Sequence, residues 1–305
     1  MIISPIMRFI VEKQKGYPAP TEKEKLTRTI NKFRKILKNI SGNFNIAETK
    51  FGLADMLVGR GDPGDYKEAM KLYNDILEIA PTSYLRARAL VGKAELLITS
   101  DKKEDWIEAV TLCEKAKNIL KEELSDFFAS KTFVVHAELL LKSWEPKDHA
   151  KAIKFLDKVI KSKDAPQYFR GRAMVGRAEI LLSKPKAKEG EINKALKLCD
   201  SARKVLKERP SDYFFIKSNL VEAELRIRRG KATDLEKAGK LSTAVIKNKD
   251  AQRNLIARAK LDLAEVSRHP KAVKLYKEVT EMEGLDPYLI EKAKAIEKAL
   301  KAKKK

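Results

Sequence analysis

One short pattern recurs six times along this chain of 305 residues and constrains its fold more than any other feature. A small residue is followed by an acid and then by an apolar run. The copies, spaced 40 to 45 residues apart, are Ala54-Asp55, Ala94-Glu95, Ala137-Glu138, Ala178-Glu179, Ala223-Glu224 and Ala264-Glu265. A second series of alanines, each inside a lysine-rich stretch, alternates with the first: Ala69, Ala109, Ala152, Ala195, Ala238 and Ala272. Self-similarity at such a period is typical of repeat proteins.

Both series predict helices. Apolar residues stand three positions before Ala94 and Ala178 and two to four positions after them, which is helical spacing. The second series has the same spacing around Ala69 and Ala152. Breakers such as the Gly-Arg-Gly-Asp-Pro-Gly run at 59–64 separate the two helices, and prolines stand where helices begin. Each unit is therefore predicted to be a helix, a loop and a helix.

A longer echo overlies the single repeats. Residues 109–128 match residues 195–214 at an offset of 86, and residues 84–95 match residues 168–179 at an offset of 84. The match indicates that a block of two helical hairpins has been copied along the chain, so the copies should share surface features.

This pattern resembles the tetratricopeptide repeat, most clearly at Ala54, Ala69, Tyr73, Ile76 and Pro81. The resemblance covers residues 43–283 and implies an all-α fold, a right-handed α-α superhelix or solenoid of six to seven hairpins with a C-terminal capping helix. The period of 40 to 45 residues exceeds the 34 of that family. We expect the additional residues mainly in the loop between the two helices of each hairpin.

The repeat spacing also sets the expected boundaries. Residues 1–42 are predicted to form an N-terminal half-repeat or capping hairpin, in which a helix over 21–40 packs on a short segment at 5–14. The array over 43–283 divides into units at 43–82, 83–125, 126–167, 168–211, 212–252 and 253–283. Residues 284–305 are predicted to be a capping helix with a basic tail, because a terminal unit needs a polar outer face.

The formal charge of +22 is unevenly distributed. Residues 43–125 carry a net charge of −3, whereas 126–211 and 212–305 each carry +9. A field of this size favours a nucleic acid, an anionic lipid or a protein with an acidic surface as partner. A lysine-rich solvated surface with no bound partner explains the same composition, and the sequence leaves both readings open.

No constellation for catalysis is visible, and we predict neither an enzyme, a cofactor nor a bound metal. His149 and His269 are interpreted as structural residues and His136 as a surface residue. Cys113 and Cys199 occupy the same repeat position and are expected in the core, since they lack paired neighbours at zinc spacing. The glycine-rich run at 59–64 lacks the Lys-Ser/Thr of a phosphate loop.

The first helices are expected to line a concave groove, as the resemblance implies. Six residues before its alanine each of five helices has a base, the basic row: Arg88, Lys131, Arg172, Lys217 and Arg258. One residue after it stands the acidic row: Asp55, Glu95, Glu138, Glu179, Glu224 and Glu265. An apolar strip accompanies them: Val91, Val134, Val175 and Leu220. Seven residues span about two turns, so both rows share one line of the helix. They predict a groove for a peptide or helix of a protein partner, or else a base–acid pairing between neighbouring repeats.

The second helices carry the excess lysine. The stripe consists of Lys151, Lys154, Lys158, Lys161, Lys194, Lys197 and Lys204. On a convex face it would bind phosphate backbones with salt-sensitive affinity, which is the alternative function. Aromatic residues at the starts of first helices offer base stacking or core packing: Tyr84, Phe127, Phe128, Tyr168, Phe169, Tyr213 and Phe214.

Location is weakly constrained. The first eleven residues are interrupted by Pro5 and Arg8, so we expect no secretory signal. No apolar run approaches the roughly 20 residues that a membrane span needs. Two cysteines are no disulfide framework and fit the reducing cytoplasm.

Overall fold

The computed structural model describes residues 22–100, 102–121, 123–142, 145–184, 186–208 and 212–302, and within them every regular element is helical. The helices are α1 (Glu22–Asn39), α2 (Asn43–Arg60), α3 (Asp65–Ile79), α4 (Ser83–Leu97), α5 (Lys103–Leu120), α6 (Phe127–Lys142), α7 (Pro146–Lys161), α8 (Gln167–Glu179), α9 (Glu189–Leu206), α10 (Tyr213–Arg229), α11 (Ala232–Lys247), α12 (Arg253–Glu265), α13 (His269–Thr280) and α14 (Pro287–Ala302). A 3₁₀ turn, Ile180–Ser183, extends α8. The predicted all-α fold is confirmed.

The helices alternate as the two alanine series predict. Every even-numbered helix from α2 to α12 carries an alanine–acid pair and is a first helix, and the next helix carries a second-series alanine. Backbone contacts divide the chain into two compact units at Gly92, inside α4. In the first unit α2 packs against α1 and α3, and in the second unit α6–α7, α8–α9, α10–α11 and α12–α13 form hairpins. The chain is thus a solenoid of helical hairpins.

Small residues at helix crossings explain why the alanines recur. All twelve alanines of the two series are buried. Two residues before Ala94, Gly92 lies against the Tyr73 ring, and an added Cβ there would stand 2.5 Å from it. The same position holds Gly176 against Leu156, and Val221 in the core cluster of Cys199. A large residue on one helix is therefore matched by a small one on the next.

The location of the additional residues was predicted wrongly. Loops inside hairpins are short: residues 61–64 join α2 to α3 and residues 230–231 join α10 to α11. The period is long because helices such as α5 and α9 reach 18 residues and because connections such as 281–286 separate successive hairpins. Longer helices lengthen the faces that each repeat exposes.

The ends of the described chain are also helical. In α14, Leu289 and Ala293 are buried against the α12–α13 hairpin. The segment at 5–14, predicted to pack against α1, lies outside the described residues, as does the start of the chain where a signal was considered. Among the described residues, no helix combines the length and apolar character needed to cross a bilayer.

Candidate partner-binding groove

The first helices of the second unit share one side of the stack. The helices α6, α8 and α10 each contact the next first helix, and α12 contacts α14. Contacts between successive second helices are sparser. The first helices therefore lie on the inner side of the curve of this unit, and we call the surface along them the groove.

A network of ion pairs crosses the groove between α4 and α8. The Arg172 guanidinium donates to both Glu138 carboxylate oxygens at 2.6 and 2.9 Å, and its Nη1 donates to Glu95 Oε1 at 2.7 Å. Lys131 Nζ lies 2.6 Å from the other Glu95 oxygen. One arginine thus bridges the acids of the two preceding first helices, and one lysine pairs with a single acid.

The same network recurs one block later. Arg258 donates to both oxygens of Glu224 at 2.7 and 3.0 Å and lies 3.3 Å from Glu179. Lys217 Nζ stands 2.7 Å from the second Glu179 oxygen. The copied block of two hairpins therefore carries a copied network. In the first unit Arg88 pairs with Glu48 and lies 4.2 Å from the centre of the Phe51 ring.

These pairs fix the charge states of the groove. Burial alone would raise the pKa of Glu95, but the charges of Lys131 and Arg172 lower it to about 2. At Glu179 burial likewise acts to raise the pKa, but the charges of Lys217 and Arg258 lower it below its usual value. Both acids therefore remain ionised at neutral pH.

Each base of the basic row has an acid partner in the structure, which is the pairing alternative that the sequence left open. The apolar strip needs a correction, because Val91, Val134, Val175 and Leu220 are fully buried. They stand three residues before their alanines and hence about 60° from them around the helix, on the packing face. These four side chains are not available to a partner.

One part of the groove opens into a pocket of about 880 Å³. Its walls come from α6, α8, α10, α12 and α14 and include four residues of the predicted groove, Glu179, Glu224, Arg258 and Glu265. The other lining residues are Lys142, Leu182, Tyr213, Ile227, Arg228, Asn254, Leu255, Leu261, Asp262, Asp286, Tyr288, Leu289 and Lys292. This volume is within the usual range of ligand sites.

The acids of the pocket differ in their partners. Glu179 and Glu224 are held by Arg258. Glu265 is exposed, and within the described residues it forms no ion pair. Asp262 is 7% exposed, and its Oδ2 has no hydrogen-bond partner among the described residues. Burial and then Glu224 raise the pKa of Asp262 well above its usual range.

The histidines and cysteines differ in their burial. His136 is buried beside the Phe155 ring, so the prediction of a surface position was wrong. It replaces the lysine or arginine of neighbouring repeats and lies in an apolar helix. Cys113 and Cys199 are buried as predicted. His149 is half-buried, and the His269 side chain lies outside the described residues. Across the described residues no three potential ligands converge as a metal site requires.

The second helices carry a different surface. Lys154, Lys161, Lys194, Lys197 and Lys204 are exposed and form no ion pair within the described residues. The two other lysines of the stripe are engaged: Lys151 pairs with Glu114 at 2.7 Å, and Lys158 lies over the Phe133 ring.

Aromatic residues line one edge of the first helices in the second unit. Phe127 packs edge to face on Phe169, which packs on Tyr168, which in turn contacts Phe214. Phe214 continues the contact to Tyr213 at the pocket. Phe169 is buried and packs in the core, whereas Phe127 is about half exposed to solvent. In the first unit Tyr84 is exposed too.

No family model matches the sequence, and no curated protein matches it. Solved structures match its fold. A STAND signal-transduction ATPase with a tetratricopeptide repeat sensor from Pyrococcus horikoshii is 17% identical with a TM-score of 0.55, over 91% of this chain and 46% of that chain. Human IFIT1, solved as a dimer with m7Gppp-AAAA, is 17% identical with a TM-score of 0.53, over 88% of this chain and 58% of that chain. Yeast Tom70 is 17% identical with a TM-score of 0.50, over 92% of this chain and 60% of that chain.

These matches show the fold. The likeness to a tetratricopeptide sensor, together with the alternating helices, confirms the predicted tetratricopeptide-like solenoid. The chain spans about half to three fifths of the lengths of the three structures that it matches.

Proposed function

We propose that this protein is a non-catalytic scaffold that holds a segment of a protein partner in the groove of its first helices, with the pocket as the anchoring point. The observation that carries the proposal is the pocket of about 880 Å³ on the side where the acidic and basic rows were predicted to meet a partner. Elsewhere among the described residues of the groove, Lys131, Arg172 and Lys217 are paired with acids, whereas the pocket offers a ligand free surface.

The pocket offers the mixed surface that peptide anchors prefer. Leu182 and Ile227, both partly exposed, give it apolar lining, and Tyr288, 67% exposed, lines it as well. Aromatic residues in a concave setting contribute strongly to binding. A turn of helix or a few extended residues can fill the volume, as in other helix-in-groove and extended-peptide complexes.

Selection from a random 12-residue phage-displayed library tests the proposal. We expect selected peptides to lose affinity for Tyr288→Ala and for Ile227→Asp, both at the pocket. A matched control is Tyr66→Ala, since Tyr66 is an exposed tyrosine on second helix α3. Peptides that bind all variants equally, or a selection without enrichment, would contradict a peptide-binding groove.

A second candidate is binding of nucleic acid or another polyanion through the second helices. It is favoured by the five exposed lysines that lack partners within the described residues, whereas the groove bases are paired. Human IFIT1 was solved with m7Gppp-AAAA, so a stack of this fold can accommodate RNA. This candidate predicts steep salt dependence of binding to single-stranded RNA. Replacing Lys194, Lys197 and Lys204 by Glu should abolish it, and unchanged binding would refute the role of the stripe.

A further inference from the structure

The ion-pair network of the groove is incomplete at its last step. Each acid from Glu95 to Glu224 is neutralised by a base of the following first helix. Glu265 is the next acid in the row, and α14 is the helix that follows. Within the described residues no base lies within ion-pair distance of its carboxylate.

The helix α14 presents Lys292 where the earlier first helices present their base. Arg258 stands between the buried Leu255 and Ala259, and Lys292 stands between the buried Leu289 and Ala293 at the same spacing. Lys292 lines the pocket but is exposed and pairs with none of its acids. The last step of the network is therefore an open position between α12 and α14.

A buried acid with an unpaired oxygen marks the same position. Asp262 stands two residues before its alanine, and the equivalent residues are Val135 in α6, Gly176 in α8 and Val221 in α10. Among these described first helices of the second unit, α12 is the one with an acid at this position. Asp262 lines the pocket and its Oδ2 lacks a partner among the described residues. Leaving such an oxygen unsatisfied is costly.

The surrounding charges favour a cation over an anion. Glu224 from α10, Glu265 from α12 and Lys292 from α14 face Asp262 together with Arg258. The arginines that an anion would need are engaged, since Arg258 holds two acids and Arg228 donates to the carbonyl oxygens of Leu181 and Leu182 at 2.5 and 3.1 Å. Asp262 and Glu265 are left without an ion pair within the described residues. The raised pKa of Asp262 favours its protonated form before a ligand binds, and a bound cation would favour its ionised form, as Arg258 and Lys292 do in part.

We infer that the pocket recognises an arginine or lysine side chain of the partner segment, which completes the network by pairing with Asp262 and Glu265. This inference rests on the proposed function and names the chemistry of its ligand. Arg172 shows the arrangement inside this chain, because its guanidinium lies between two carboxylates at 2.6 to 2.9 Å. Lys292 competes with the incoming cation for the same acids.

The test uses the phage-selected peptides in matched pairs. We expect the selected sequences to share a basic residue. The strongest peptide is synthesised with arginine and with citrulline, which keeps the shape and removes the charge, and affinities are measured by fluorescence anisotropy. Citrulline should weaken binding by about 10-fold or more, as loss of a desolvated charge pair does.

Variants of the protein locate the effect. Asp262→Asn and Glu265→Gln should each reduce the preference for arginine over citrulline by about 10-fold, whereas Lys292→Met should increase affinity for the arginine peptide. The control Glu236→Gln, an exposed acid on α11, should change nothing, and circular dichroism verifies that each variant folds.

Equal affinity for arginine and citrulline peptides, or an unchanged preference in Asp262→Asn, would overturn the inference. If those peptides still lose binding with Tyr288→Ala, the proposed groove stands and only the cationic anchor fails. Peptides that are insensitive to Tyr288→Ala as well would contradict both the proposed groove and the cationic anchor.

Discussion

Replacing Arg172 by methionine should destabilise the second unit by about 3 kcal/mol, because removing one partner of a buried ion pair leaves an uncompensated charge. The Arg172 side chain is 6% exposed, and its two acid partners, Glu138 and Glu95, are 18% and 25% exposed. Glu95 keeps Lys131, but Glu138 has no other ion-pair partner within the described residues. Partial exposure of the acids places the estimate at the lower end of the range for buried pairs.

Urea unfolding of Arg172→Met, Glu138→Gln and the double variant measures the coupling between the two side chains. We expect the double variant to be more stable than the sum of the single losses predicts, by about 1 to 3 kcal/mol. Because repeat proteins need not unfold in one step, hydrogen exchange in α6 and α8 should show the same loss locally. The control Lys197→Met, an exposed lysine on α9, should change stability by less than about 0.5 kcal/mol.

Additive losses in this cycle, or a change for Arg172→Met as small as for Lys197→Met, would refute the network as a stabilising element. The basic and acidic rows would then lie close together without stabilising the stack. Arg258→Met should cost less than Arg172→Met, because Arg258 is 25% exposed, although its distances to Glu224 are similar.

Three further outcomes follow from the buried positions. Burial lowers the pKa of His136 to about 4, so as the pH falls from about 6.5 to 4 the unfolded chain takes up the proton first and about 3 kcal/mol of stability is lost; His136→Leu should abolish this slope in acid-titrated urea unfolding. Gly92→Val should cost about 1 to 3 kcal/mol by clashing with Tyr73, and the same change should cost less in a Tyr73→Cys background, whereas equal costs in both backgrounds would refute the size matching. Cys113 and Cys199 should resist thiol reagents until the protein unfolds, because both are buried and burial raises the pKa of Cys199 to about 12; rapid labelling of native protein would contradict the core assignment.

The repeat could be predicted from the sequence because helix crossings demand small residues at fixed places. Ala54 and Ala264 are buried for the same steric reason, so alanine recurs at a regular spacing in the sequence. The length of the loops could not be predicted, since helices such as α9 continue beyond the alanine-centred pattern without a breaker.

The charges of the groove were only partly predictable. The seven-residue spacing places Lys131 and Glu138 on one line of their helix, but the distance to the neighbouring helix decides whether they pair, and a single helix pattern carries no such distance. Burial of Val134 follows from its angle to Ala137, which the spacing did contain.

Asp262 and Glu265 were not predicted to act as a pair, because only Glu265 belongs to the acidic row. Asp262 was detectable as an acid at a repeat position that otherwise holds Gly or Val, and comparison of Gly176 and Val221 with Asp262 gives that signal. Tyr288 and Lys292 were assigned only to a capping helix, although α14 repeats the residue spacing of a first helix.

Hydrogen exchange of the full chain, measured with and without the selected arginine peptide, shows which helices the partner covers. We expect protection confined to the pocket-lining segments of α10, α12 and α14, with exchange along α7 and α9 unchanged. Protection of the lysine-bearing helices α7 and α9, with none in α12 and α14, would contradict a groove that binds its partner at the open end of the ion-pair network.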